Sequence, residues 1–211
     1  METVALIDYG SGNLHSAEKA LQEAARRARH EVRVLTTGEP EAIATADRIV
    51  LPGVGAFRAC MEAFDSRPGV REAMTQAVKG SGRPFLGICV GMQLLADRGL
   101  EFGETPGLGW IGGEVRRLET ADPHAKVPHM GWNTLRSETS HPLIEDASDL
   151  YFTHSFALFP DDPEDVTASV DHGGRFAAAV AKDNVAGVQF HPEKSQEAGL
   201  ALIGRFLEWK P

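Results

Sequence analysis

The run Pro84-Phe85-Leu86-Gly87-Ile88-Cys89-Val90-Gly91 narrows the folds open to this chain more than any other stretch. Its opening residues are apolar without alternation, which reads as a strand buried on both faces of a parallel sheet. Met92-Gln93-Leu94-Leu95-Ala96 reads as the first turns of a helix. A Gly-x-Cys-x-Gly at a strand-to-helix turn has the form of a nucleophile elbow, with Cys in the place of Ser. The turn is sharp, so side chains two residues either side of the nucleophile would collide, and Gly87 and Gly91 carry none. Such an elbow lifts the Cys89 sulfur above the sheet edge, beside a helix end that favours a thiolate. It also aims the Val90 N–H at the place where an oxyanion forms. Taken alone, the pentapeptide leaves a second reading open, in which Cys89 is a small buried hydrophobe.

A second stretch, Val188-Gln189-Phe190-His191-Pro192-Glu193, favours the nucleophile. A Cys nucleophile needs a base, and the base needs an orienting acceptor. His191 and Glu193 stand at i and i+2, which project to one side of an extended chain. Pro192 cannot donate to a ladder and marks a strand end. An acyl-transfer site also wants two N–H donors for its oxyanion. Val90 supplies one. Pro52-Gly53-Val54-Gly55, at another predicted strand end, can supply the second from Val54 or Gly55, and its glycines let the Val54 peptide turn.

The rest of the chain fits an open α/β sheet. Strands are expected at Val4–Ile7, Glu31–Leu35, Arg48–Leu51 and before Cys89, and helices at Leu14–Ala28, Pro40–Ala44, Phe57–Phe64 and Gly69–Val78. This alternation implies a parallel, doubly wound sheet with helices on both faces. After residue 100 the pattern changes to strands with short connections at Glu114–Leu118, Leu150–Phe156, Val166–Val170, Phe176–Ala181 and Val185–Phe190. One late helix, Gln196–Trp209, closes the chain. The second half is expected to be mainly antiparallel, beside the parallel core and within one domain over residues 1–211. Asp8-Tyr9-Gly10-Ser11-Gly12-Asn13 is a Gly-rich turn, but the third glycine of a dinucleotide fingerprint would fall on His15, so it reads as a tight turn or binding loop.

Composition bounds the function. A net charge of −9 with no basic run disfavours nucleic acid and anionic membranes as partners. The 2 cysteines and 8 histidines show no metal-ligand spacing, and nucleophilic thiol chemistry needs neither metal nor organic cofactor. Two distant cysteines, no leader pattern and no long apolar stretch fit a cytoplasmic protein.

The elbow Gly87–Gln93 and Phe190-His191-Pro192-Glu193 together resemble the class I (triad) glutamine amidotransferases. Asp8–Leu14, Leu51–Phe57, Pro128-His129-Met130-Gly131-Trp132-Asn133 and Tyr151–Phe156 narrow the likeness to the glutaminase subunits of imidazole glycerol phosphate synthases. The resemblance runs from residue 3 to the last helix. It implies hydrolysis of L-glutamine to glutamate and ammonia, with ammonia passed to a (β/α)₈ cyclase subunit in histidine biosynthesis. It also implies roles: Cys89 as nucleophile, His191 as base and acid, and Glu193 as its orienter, beside Val90 and Val54 as the oxyanion donors read from the two turns above. Gly53, Gly55, Gln93, Glu101, His154 and Ser155 would hold the substrate. Asn13 and the segment Pro128, His129, Met130, Gly131, Trp132 and Asn133, taken as a loop, would face the cyclase. Phe156 stands where a Tyr is common in the family. Two other functions remain open at this point: a different Cys hydrolase on the same fold, and a scaffold without catalysis.

Overall fold

A computed structural model describes residues 1–211. The parallel half is built as the periodicity predicts. Strands β1 (Glu2–Ile7), β2 (Val32–Thr37) and β3 (Arg48–Gly53) alternate with helices α1 (Leu14–Ala28), α2 (Pro40–Thr45), α3 (Phe57–Asp65) and α4 (Val70–Thr75). Helix α4 runs on as a π-helical turn, Gln76–Gly80, to strand β4 (Phe85–Cys89). Every residue of β3 and β4 is buried, which is why these strands read as unbroken apolar runs. The helix after the elbow is α5 (Val90–Gln93), a single turn rather than the longer helix expected. Its dipole is therefore that of one turn of free N–H groups.

The second half is mainly strand until its end. It holds β5 (Arg98–Gly99), β6 (Thr105–Pro106), β7 (Gly113–Arg117), β8 (His129–Thr134), β9 (Arg136–Ser137), β10 (Asp149–His154), β11 (Phe156–Pro160), β12 (Val166–Asp171), β13 (Arg175–Lys182) and β14 (Val185–Val188). Helix α6 (Gln196–Glu208) follows and packs beside α1. The main sheet has the order β2-β1-β3-β4-β14-β13-β12-β9. Strand β14 pairs parallel with β4, while β13, β12 and β9 continue the sheet antiparallel.

Three expectations need correction. Leu150–Phe156 is not one strand: it breaks at Ser155, so β10 pairs with β8 and β11 pairs with β7, in two small sheets off the main one. Residues 128–133 are not a loop, because β8 is a regular strand. Strand β14 stops at Val188, two residues short of the expected Phe190.

Register places the site. Gly53 pairs with Cys89 across β3 and β4, and Val188 pairs with Ile88 across β14 and β4. The carboxyl ends of three adjacent parallel strands therefore meet, the usual location for a site in an open α/β sheet.

Candidate active site

Cys89 sits at φ +54° and ψ −112°, the strained left-handed conformation of an elbow. The glycines fill the role assigned to them. A Cβ on Gly87 would lie 2.6 Å from the Gly91 carbonyl oxygen, and one on Gly91 would collide with the Leu51 carbonyl on β3. The elbow is thus wedged against the neighbouring strand as well as against itself.

His191 lies just past β14 and is buried, as is its partner: their side chains are 3% and 4% exposed. Its Nδ1 meets Glu193 Oε1 at 2.8 Å. The contact does not come from an extended chain, as the sequence suggested. Pro192–Lys194 form a 3₁₀ turn that folds Glu193 back under the ring. The backbone is clamped too. The His191 N–H donates to the Tyr151 carbonyl at 2.9 Å, and Ser195 Oγ donates to the His191 carbonyl at 2.6 Å. The second carboxylate oxygen, Glu193 Oε2, is buried without a partner in the chain, beside a cavity of about 10 Å³ that Asn13, Gly53 and Ile88 also line.

Burial lowers the affinity of His191 for a proton, but the influence of the Cys89 sulfur and then of the Glu193 carboxylate outweighs that, and the ring is raised to about 9. At neutral pH His191 therefore holds a proton that it can give to a leaving group.

A cavity of about 420 Å³ opens over Cys89, large enough for an amino acid. It is lined by Val54, Gly55, Cys89, Val90, Gln93, Glu101, Pro128, Thr153, His154, Ser155, Phe156, His191 and Lys194. Most sequence-predicted site residues are brought together here. Gly53 is not among them. It is packed in β3, where a Cβ would meet the Gly91 nitrogen at 2.7 Å and the Tyr9 hydroxyl at 2.9 Å, so its role is to let β3 and the elbow close up. Pro128, expected at the partner face, follows a cis peptide bond and lines the cavity. His129, expected there as well, is only 3% exposed and points inward. Met130 and Trp132 do face solvent, 64% and 51% exposed.

Three contacts refine roles. Glu101 Oε2 accepts from the Phe57 N–H at 2.9 Å, so the carboxylate caps helix α3 while facing the cavity. Gln93 spends its amide nitrogen on the Phe156 carbonyl and on Gln189 Oε1, both at 2.9 Å, which leaves its oxygen for a ligand. The Val54 N–H donates to Ser11 Oγ at 3.4 Å, so it is engaged outside the cavity, and Ser11 Oγ in turn donates to the Val54 carbonyl at 2.8 Å. Sequence reasoning missed Gln189, whose amide nitrogen lies 3.7 Å from Cys89 Sγ, and the cavity residues Thr153 and Lys194. No local pattern marks them, since a Gln in a buried strand end is notable only once its neighbours are known. Cys60 is buried in α3 with its thiol on the Val54 carbonyl at 3.3 Å, as a packing residue would be.

Comparison with known proteins identifies the family. The family described as "Glutamine amidotransferase class-I" matches residues 5–208. The imidazole glycerol phosphate synthase subunit HisH of Caulobacter vibrioides is 61% identical, with 100% of both chains covered. The HisH subunits of Zymomonas mobilis and Rhodospirillum rubrum are 54% and 52% identical, covering 99% of this chain and 97% and 99% of theirs. Among solved structures, a glutamine amidotransferase aligns with TM-score 0.69 at 18% identity, covering 93% of this chain and 94% of that one. Another, from Thermotoga maritima, aligns with TM-score 0.60 at 15% identity, covering 91% and 76%. At such identities these two structures speak to the fold.

Proposed function

The chain belongs to the class I glutamine amidotransferases, and from that premise we propose that it is the glutaminase side of an imidazole glycerol phosphate synthase, acting as one domain over residues 1–211. The observation that carries the reading is Cys89 and His191 together in the lining of the 420 Å³ cavity, with the buried Glu193 bonded behind the ring.

In this reading Cys89 Sγ attacks the side-chain amide carbon of L-glutamine, and the C–S bond forms as the carbonyl becomes an oxyanion. His191, held protonated by the sulfur and by Glu193, gives its proton to the departing nitrogen, which leaves as ammonia. Water, deprotonated by the same ring, then cleaves the thioester and releases glutamate. Gln93, Glu101 and the backbone of His154 and Ser155 hold the substrate's polar groups. The Val90 N–H is one oxyanion donor. The second, at Val54, becomes available when its peptide leaves Ser11, and Gly55 at φ +97° gives the loop the freedom to turn. Because Ser11 belongs to the Asp8–Asn13 turn, a partner seated on Asn13, Met130 and Trp132 could bias that change.

The partner is a cyclase subunit with a (β/α)₈ barrel, which takes up the ammonia in histidine biosynthesis. The identity with the HisH subunits over the full chain supports this. Two free cysteines support a cytoplasmic setting, and no helix is long and apolar enough to cross a membrane. The test is synthesis by the reconstituted pair. Cys89→Ala should abolish glutamine-dependent product while added ammonium still sustains it. Persisting glutamine-dependent turnover would overturn the assignment.

A further inference from the structure

The triad is not the only hydrogen-bonded line that reaches Cys89. Gln189, fully buried beyond β14, points its amide nitrogen at the Cys89 sulfur, 3.7 Å away. Its oxygen accepts from Gln93 Nε2, which also donates to the Phe156 carbonyl. That carbonyl is shared: His154 Nδ1 lies 2.9 Å from it. His154 Nε2 meets His129 Nδ1 at 3.1 Å, and His129 Nε2 meets Asn133 Nδ2 at 3.2 Å. Asn133 donates again to the Asp171 carbonyl at 2.9 Å. The Thr134 N–H on Asn133 Oδ1, at 2.8 Å, fixes which end of the amide is nitrogen.

The direction of this line is forced from both ends. A carbonyl only accepts, so His154 carries its hydrogen on Nδ1 and offers a lone pair at Nε2. His129 must then donate from Nδ1 and accept at Nε2. An amide nitrogen only donates, so starting from Asn133 gives the same answer. One neutral tautomer of each ring satisfies every contact, and an extra proton on either sets two donors against each other. Burial works in the same sense: desolvation is the first cause that lowers His129 to about 3 and His154 to about 4. The titratable groups facing His129 are His154 and His172, the latter stacked at 4.1 Å and bonded to the Lys126 carbonyl. Those facing His154 include His172 and His191.

The two ends differ in setting. Asn133 lies on β8 next to the exposed Trp132, whereas Phe156 ends the cavity-lining segment 153–156. We infer that Asn133, His129 and His154 form a fixed-polarity hydrogen-bond line that ends on the Phe156 carbonyl and, with Gln93 and Gln189 on the far side of that carbonyl, holds segment 153–156 and the Cys89 sulfur in place from strand β8. Asn133 and His129 are then positioning residues for glutamine hydrolysis. The inference rests on the glutaminase reading above.

Nitrogen-15 spectra of the histidine rings in the full chain read the tautomers without any assay. His129 and His154 should both be in the Nδ1–H form and should not titrate across neutral pH. The functional arm is Asn133→Asp, which puts a carboxylate against the His129 lone pair, so that the contact is restored only when His129 takes a second proton. With the cyclase partner present, kcat/KM for glutamine should fall about tenfold near pH ~8, the worth of one buried hydrogen bond, and recover on acidification relative to wild type. His129→Phe keeps the ring stack and loses both bonds, so it should show the same loss with no recovery. Nε2–H tautomers in the wild-type spectra would overturn the inference, even if a variant fails to fold. So would an unchanged kcat/KM and pH profile in both folded variants. If the wild-type pair hydrolyses no glutamine, the glutaminase reading fails separately, and the spectra still report on the line itself.

Discussion

At the scale of single residues, Cys89, His191 and Glu193 should act as one unit, because the proton on His191 is held by the other two. His191 is raised to about 9 only through Cys89 and Glu193, against the effect of its burial. In a comparable protease triad, losing the nucleophile or base costs ~10⁶ in rate and losing the orienting acid ~10⁴. His191→Ala should therefore be worse than Glu193→Ala, and the double variant barely worse than His191→Ala alone; steady-state kinetics on the four proteins show whether the losses combine this way or add. The same histidines shape stability against pH. His191 is raised in the folded state, so its contribution is complete below about pH 6.5 and fades as pH rises through about 9. His129 and His154 are depressed, so the unfolded chain binds more protons, and stability is lost as pH falls from about 6.5 toward 4 and 3. Melting temperature should thus decline on both sides of a maximum near pH ~6.5. His129→Phe should flatten the acid limb, and Cys89→Ala, which removes the sulfur that holds the proton on His191, should flatten the alkaline one.

Among the elements, the turn after β4 and helix α6 use glycine for opposite reasons. Gly91 is where the elbow touches β3, and an added Cβ there meets the Leu51 backbone, which cannot move without breaking the β3–β4 register. Gly204 lies inside α6 with nothing within 4 Å of an added Cβ. Gly91→Ala should lower stability by about 1–3 kcal/mol, the usual cost of overpacking, and abolish hydrolysis. Gly204→Ala should raise stability by about 0.5–1 kcal/mol, because it removes backbone freedom from the unfolded chain. Urea titration of both variants checks the pair, and a well-folded, active Gly91→Ala protein would contradict the wedge.

For the whole molecule, the parallel half carries Cys89 and part of the cavity wall, and the second half completes the wall and exposes Met130 and Trp132. Trp132 is half exposed, and its one aromatic neighbour is Tyr151, edge-on at 6.0 Å. About half of its area stays uncovered by this chain. Trp132→Ala should leave the melting curve of the isolated chain within the small range of surface changes. It should weaken affinity for the cyclase by about 2 kcal/mol or more, as for an aromatic interface anchor, and reduce the stimulation of glutamine hydrolysis. Calorimetry and partner-stimulated rates on one sample test this. Unchanged affinity with unchanged stimulation would place the partner elsewhere.

The sequence by itself determined what depends on local sterics and burial. Apolar runs gave β3 and β4, because strands covered on both faces carry few polar side chains, and the one at the start of β3, Arg48, is paired with the Phe206 and Trp209 carbonyls. The glycine pair gave the elbow, because only glycine clears a turn that tight. It also put His191 and Glu193 together, although the 3₁₀ turn that joins them was not legible. Strand β8 was misread for a definite reason: its alternation is inverted, with His129 and Asn133 turned in and Met130 and Trp132 turned out. A pattern scan that places apolar residues inside sees no strand there. Only the tertiary structure decided that Gly53 is a packing glycine, that Val54 is held by Ser11, and that Gln189 reaches Cys89. Each of these depends on contacts between residues 38 or more positions apart in the chain. Which of two polar groups meets across such a distance is set by sheet register and strand order, and no window of sequence contains both partners.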